Sequence, residues 1–240
     1  MKLLAIDSSG LVASVAILSD DTIVAEYTTN FKKTHSQTLL PMLNEMIEMT
    51  GIELSDIDGI AVAAGPGSFT GLRIGSATAK GLGLALKKPI ISVPTVDGLA
   101  YNLFGTNQLI CPIMDAKRGQ VYTGLYEFRN NVFHVLSEQK AVAIEEIIEE
   151  IKTYKRSVVF LGDGVEVHRD KVRDELGHYA NFAPAHLSKQ RAASIAVLAS
   201  TYEMGCYETA MEHQPVYLRL SQAERELSLK QQKEQNHVAK

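Results

Sequence analysis

The turn Gly65-Pro66-Gly67 joins an apolar run, AVAAG, to the helix-forming stretch FTGLRIGSATAKGLGLAL. Glycine turns between a strand and a helix often expose backbone amides to phosphate. Two carboxylates sit at corresponding chain points: Asp7 after LLAI, followed by Ser-Ser-Gly, and Asp115 after LICPIM, followed by Ala-Lys-Arg-Gly. Such a pair could flank a divalent cation, or each could cap its own turn. The common phosphate codes are missing. A Walker loop needs G-x-x-x-x-G-K-[ST], but five residues separate Gly65 from Gly71, and Leu72-Arg73 occupies the Lys-Ser/Thr positions. The dinucleotide pattern G-x-G-x-x-G fails at Thr70. A hydrolase elbow needs G-x-S-x-G, and Gly67-Ser68-Phe69-Thr70-Gly71 lacks that order. None of the seven histidines lies four residues from another, so no helical two-histidine metal site is encoded. Lys117-Arg118 can either meet an acidic group or phosphate or form an exposed turn.

The helix after the glycine turn has an unusual face. Gly71, Gly75, Ala79 and Gly83 recur every four residues, with Ile74, Thr78, Leu82 and Leu86 beside them. Glycine inside a helix costs about 1 kcal/mol relative to alanine. A row of small residues therefore implies close approach of another backbone. That backbone belongs either to the chain's own sheet or to a helix of another subunit. In the second case the contact would include Leu39, Leu40, Leu43 and Ile47 from the amphipathic stretch 36–49. Pro41 lies inside that stretch and implies a later helix start or a kink.

These residues are carried by an order of elements that occurs twice. Strands near 2–7, 11–18 and 22–28, a helix at 36–49, a strand at 59–64 and a helix at 70–86 make the first unit. A short strand at 89–93 and a helix at 95–104 follow it. The second unit repeats the order, with strands up to Asp115, after the turn and at 131–139, a helix at 144–154, the strand VVFLG and a helix at 165–176. Gly162-Asp163-Gly164 matches Gly65-Pro66-Gly67. This is a duplicated β-β-β-α-β-α architecture of the α/β class. Residues 1–105 and 106–220 form the expected lobes, a last helix spans 189–204, PVYLRL reads as extended, and 221–240 is a polar tail.

Bulk properties narrow the function classes. A net charge of −4 provides no global footprint for nucleic acid, so RNA contacts would come mainly through a partner. Cys111 and Cys206 are far apart and imply neither a disulfide framework nor a zinc cluster. No apolar run approaches a membrane span or a signal-peptide core, and a cytoplasmic location is expected.

The stretch GPGSFTGLRIGSATAKGLGLAL closely resembles the signature of the TsaB (YeaZ) family of tRNA threonylcarbamoyladenosine biosynthesis proteins. The opening AIDSSGLVASVAIL, HSQTLLPML, ISVPTVDGLA, MDAKRGQVYTGLY, LGDG and PVYLR extend the likeness over all but the last twenty residues. The resemblance implies a two-lobed fold similar to the actin/Hsp70/sugar-kinase class, with Asp7, Asp115, Gly162 and Gly164 facing an interlobe nucleotide cleft and the last helix able to cross back to the first lobe. It implies no metal or cofactor of the chain's own, with ATP or ADP in the complex. The catalytic paralogue, TsaD, carries two metal-binding histidines at positions corresponding to Thr95 and Leu99. The resemblance thus implies a non-catalytic partner of a TsaD-like subunit in N6-threonylcarbamoylation of adenosine 37 of tRNA. A small TsaE-like ATPase would join the complex, and a homodimer would form when the paralogue is absent. The alternative is a free-standing ATP-dependent kinase or phosphohydrolase using Asp7 and Asp115.

Overall fold

Strand β1 (Lys2–Asp7) runs at the centre of a six-stranded sheet and is buried on both faces, which is why KLLAID is apolar almost throughout. The computed structural model describes residues 1–31 and 34–219. β1 pairs antiparallel with β2 (Ala13–Ser19), and β2 pairs antiparallel with β3 (Thr22–Thr29). After α1 (His35–Thr50), β4 (Gly59–Gly65) returns parallel to β1, placing Leu4 opposite Ile60. Helix α2 (Phe69–Leu86) then leads to β5 (Ile90–Pro94), parallel to β4, and to α3 (Thr95–Tyr101).

The second half repeats the plan with β6 (Leu109–Asp115), β7 (Gln120–Arg129), β8 (Val132–Ala143), α4 (Ile144–Tyr154), β9 (Val158–Leu161), α5 (Gly164–Leu176) and β10 (Ala180–Phe182). In sheet order, β3-β2-β1-β4-β5 corresponds to β8-β7-β6-β9-β10. Each repeat thus gains a fifth strand. The first of these is legible in the sequence at 89–93; β10 is not, because its three half-buried residues carry no alternating pattern. The first sheet takes one further short strand, β11 (Tyr207–Glu208), on β5.

Helices cover the sheets in layers. Leu39, Leu43 and Met46 of α1 and Ala79 of α2 pack on one face of the first sheet. Its other face meets α6 (Ala192–Ser200), an alanine-rich helix that lies against Leu3, Ala5 and Ala16. The chain therefore crosses back to the first sheet after completing the second. α6 is shorter than the expected 189–204 because Arg191 is extended and ion-paired with Glu26, while 201–203 turn away. In the second sheet, Ile144, Ile147, Ile148 and Ile151 of α4 recur at helical spacing and fill one side. α3 packs between the sheets, with Val96, Leu99 and Ala100 against Ile110, Met114 and Tyr126.

α1 begins at His35 and runs through Pro41, which is exposed. Proline removes one helical hydrogen bond there. Apolar burial by Leu39, Leu43 and Met46 on the opposite side holds the helix across it. The polar tail expected at 221–240 lies outside the described residues.

Candidate functional site

The first hairpin turn is closed upon itself. Asp7 ends β1 and is 1% exposed. Its Oδ1 accepts hydrogen bonds from the Ser9 amide at 2.9 Å and the Ser9 hydroxyl at 2.6 Å. Burial dominates its electrostatics and pushes its pKa up to about 6, against the stabilising bonds from Ser9. His35 Nε2 lies 2.8 Å from the Gly10 carbonyl on the far side of the same turn. Helix α2 grips the turn from above: the Ser68 amide donates to the Ser9 carbonyl at 2.7 Å, and Ser8 Oγ donates to the Gly71 carbonyl at 2.8 Å. Ser68 Oγ also caps the helix by accepting from the Gly71 amide at 3.3 Å.

That grip explains the small-residue row. A Cβ at Gly67 would collide with the Ser9 carbonyl, one at Gly71 with the Ser8 carbonyl, and one at Gly75 would lie 2.5 Å from Ser8 Oγ. The backbone approaching the row is the chain's own β1–β2 turn. Of the residues expected at a partner interface, Gly71, Gly75, Ala79, Leu39 and Leu43 are buried inside the fold and cannot meet another subunit. This corrects the sequence expectation for those five. Leu40 is 55% exposed, while Ile47, Ile74, Thr78 and Leu82 are half-buried along the α1–α2 seam.

The second hairpin turn repeats the closure. Asp115 Oδ1 accepts from the Lys117 amide at 2.7 Å, and Lys117 Nζ approaches Oδ2 at 2.6 Å. Burial works to raise the pKa of Asp115, but the bonds and charge of Lys117 outweigh it and hold the carboxyl below its usual range. Asp163 Oδ1 accepts from the Asp115 amide at 3.0 Å, and burial raises the pKa of Asp163. Gly162, at φ 103°, donates to the Ser188 carbonyl at 2.8 Å. Gly162 and Gly164 both abut the Ile113 carbonyl, so this turn packs on the end of β6.

Asp7 and Asp115 thus serve separate turns. Burial and the Ser9 bonds set the electrostatics of Asp7, whereas burial and Lys117 set those of Asp115. Among the described residues, no three His, Cys, Asp or Glu side chains are grouped to hold a metal ion. Thr95 Oγ1 accepts from the Gly65 amide at 3.1 Å, and Leu99 is buried between the sheets against Gly162. Neither is a donor set for a metal.

The segment after β11 forms a strap across the molecule. Thr209 and Glu212 close a turn through two bonds to Glu212 Oε2, at 2.8 and 3.0 Å. His213 is fully buried, with Nδ1 2.9 Å from Ser92 Oγ and its carbonyl accepting from Lys80 Nζ at 3.0 Å. The Val216 amide donates to the Ala64 carbonyl at 2.7 Å, and the Val216 carbonyl fills the place of a Cβ on Gly65, whose φ is 123°. Tyr217 packs on Phe69, with ring centroids 4.9 Å apart. Arg219 then donates to the Ala116 carbonyl of the second hairpin turn. PVYLRL carried only an extended signal, and its contacts lie more than a hundred residues away.

These features define a two-lobed protein of the actin-like fold whose two hairpin turns each bond an aspartate Oδ1 to an amide of the same turn. The family model for TsaD, tRNA N6-adenosine threonylcarbamoyltransferase, matches residues 22–227. The chain is 37% identical to the tRNA threonylcarbamoyladenosine biosynthesis protein TsaB of Bacillus subtilis, covering 93% of this chain and 96% of that protein. It is similar in structure to YeaZ from Pseudomonas aeruginosa, with a TM-score of 0.72 and 25% identity over 90% of this chain and 99% of that one. The fold alone is shared with the PilM-PilN type IV pilus biogenesis complex, at a TM-score of 0.50 and 7% identity over 84% of this chain and 99% of that one. The chain belongs to the TsaB family.

Proposed function

We propose that this chain is a non-catalytic partner subunit in the synthesis of threonylcarbamoyladenosine in tRNA. The observation that carries the reading is the internal closure of both hairpin turns, in a chain similar to a TsaB protein along nearly its whole length. Asp7 and Asp115 each hold an amide of their own loop. Thr95 and Leu99 stand where the resemblance puts the metal-binding histidines of the paralogue. What the chain offers instead is a surface: the α1–α2 seam, where Leu40 projects and Ile47, Ile74, Thr78 and Leu82 are half-buried.

In this reading the seam docks a metal-bearing TsaD-like subunit and stabilises it. ATP or ADP belongs to the complex, a TsaE-like ATPase joins it, and tRNA is delivered mainly through the partners. Without the paralogue the same seam pairs two copies, since an isologous contact reuses one patch.

Light-scattering mass on a sizing column tests this, for the chain alone and mixed with a TsaD-like paralogue. Leu40→Glu places a charge on the seam without touching the core. A homodimer alone and a heterodimer when mixed are expected, both lost in Leu40→Glu with melting unchanged. A monomer that ignores the paralogue would overturn the proposal.

A further inference from the structure

Three arginines lie on the strap or on the segments it fastens together, and none has a carboxylate partner among the described residues. Arg73, in the first turns of α2, lies 4.0 Å over the Phe69 ring and donates from Nε to the Tyr217 hydroxyl at 3.3 Å. Arg219 donates to the Ala116 and Lys117 carbonyls. Arg118 is exposed at the tip of the β6–β7 turn. Elsewhere Arg129 and Arg156 pair with Glu127, Arg191 pairs with Glu26, and Arg169 and Arg173 lie over the Phe182 ring. In a chain of net charge −4, this local excess of positive charge runs against the whole.

The cations are also held in place. Lys117 and Arg118 both adopt left-handed backbone, at φ 64° and 60°, a conformation that side-chain-bearing residues rarely take in succession. Lys117 pairs with Asp115 across the turn, and Arg118 beside it is exposed. Tyr217 and Arg219 are two residues apart on the strap, one fastened to the first half and the other to the second. Tyr217 is 39% exposed, with its ring packed on Phe69 and its hydroxyl accepting from Arg73.

We propose that this seam is an RNA-binding surface of the chain itself. The guanidinium groups of Arg73, Arg118 and Arg219 take phosphates of a single-stranded or looped segment, and Tyr217 stacks against a base. Planar guanidinium forks match phosphate oxygens, and an exposed aromatic ring among cations is the arrangement that grips unpaired nucleotides. An acidic protein segment would use the charges but leave the ring without a role. The inference rests on the tRNA-modification reading only in naming the RNA as tRNA. It differs from the sequence expectation in assigning RNA contacts to this chain.

The test is fluorescence anisotropy of the full chain with an unmodified transcript of a tRNA that reads a codon beginning with A, from about 50 to 200 mM salt. Binding is expected to weaken with a log–log slope of about −2 to −3, since each phosphate contact contributes about 0.7–0.9. Arg118→Glu should weaken binding several-fold and reduce the slope by about one. Tyr217→Ala should weaken binding with the slope unchanged. Absence of salt-dependent binding by the wild-type chain, or wild-type affinity in Arg118→Glu, would overturn the proposal. So would polyglutamate of equal charge competing as well as RNA, which would reassign the patch to an acidic protein. Mass measurements on Arg118→Glu with the paralogue separate the two readings: loss of RNA binding with assembly intact supports both, and a wild-type chain that binds RNA but never assembles overturns only the partner reading.

Discussion

Gly71 and Ser8 lie so close that no side chain fits between them: a Cβ on Gly71 would fall inside the Ser8 carbonyl oxygen, while Ser8 Oγ donates to the Gly71 carbonyl at 2.8 Å. The contact clamps the first turn of a helix onto the tip of a hairpin sixty-three residues earlier. It makes the glycine turn between strand and helix a packing joint.

Gly71→Ala should therefore destabilise the chain by about 1–3 kcal/mol, the usual cost of overpacking a tight site. Gly81 lies in the same helix, is exposed, and has nothing within 4 Å of its added Cβ. Gly81→Ala should stabilise by about 0.5–1 kcal/mol through helix propensity alone. Urea denaturation of the two variants should show shifts of opposite sign; equal shifts would refute the clamp.

Acid should relieve a strain that Asp7 imposes at neutral pH. Its folded pKa of about 6 stands above the ordinary 3.8 because burial disfavours the charged form. Between these values the folded chain holds a proton that the unfolded chain has released. The group's contribution to stability is therefore greatest below about pH 4 and is lost as pH rises through 6, by about 3 kcal/mol in all. Asp7→Asn keeps an oxygen for Ser9 and removes the titration. Its stability relative to wild type should rise by a similar amount between pH 4 and 7, and a pH-independent difference would count against the assignment.

Asp97 of α3 and Tyr126 of β7 join the two halves through a buried bond of 2.7 Å from the tyrosine hydroxyl to Oδ1. Burial raises the Asp97 pKa to about 6, opposed by that bond. Tyr126→Phe removes the donor, so Asp97 should bind its proton still more tightly. The expected cost is about 1–3 kcal/mol at pH 8, where the carboxylate is charged and unpartnered. At pH 5 the carboxyl is protonated and the cost should shrink. Thermal melting at the two pH values checks this, and an equal loss at both would show that packing alone is at stake.

Much of the architecture was legible because duplication leaves punctuation. Asp7 and Asp115 each accept the amide of the residue two places on, at 2.9 and 2.7 Å, and a glycine-flanked turn follows a buried strand in both halves. Such turns depend on local residue types, which a sequence displays directly. The helical spacing of Leu39, Leu43 and Met46 was visible for the same reason. The direction of the Gly71–Gly75–Ala79 row was not, since small residues announce a close neighbour without saying which.

Sequence alone therefore determined the class, the repeat and the absence of the common phosphate codes, all properties of residue type and spacing. Tertiary structure decided what the special residues do. It turned the glycine row inward onto Ser8, divided Asp7 and Asp115 between separate turns, and drew Val216, Tyr217 and Arg219 across both halves. The physical reason is separation along the chain. A bond between Arg219 and Ala116 spans 103 residues, and only the packing of two complete sheets brings them together.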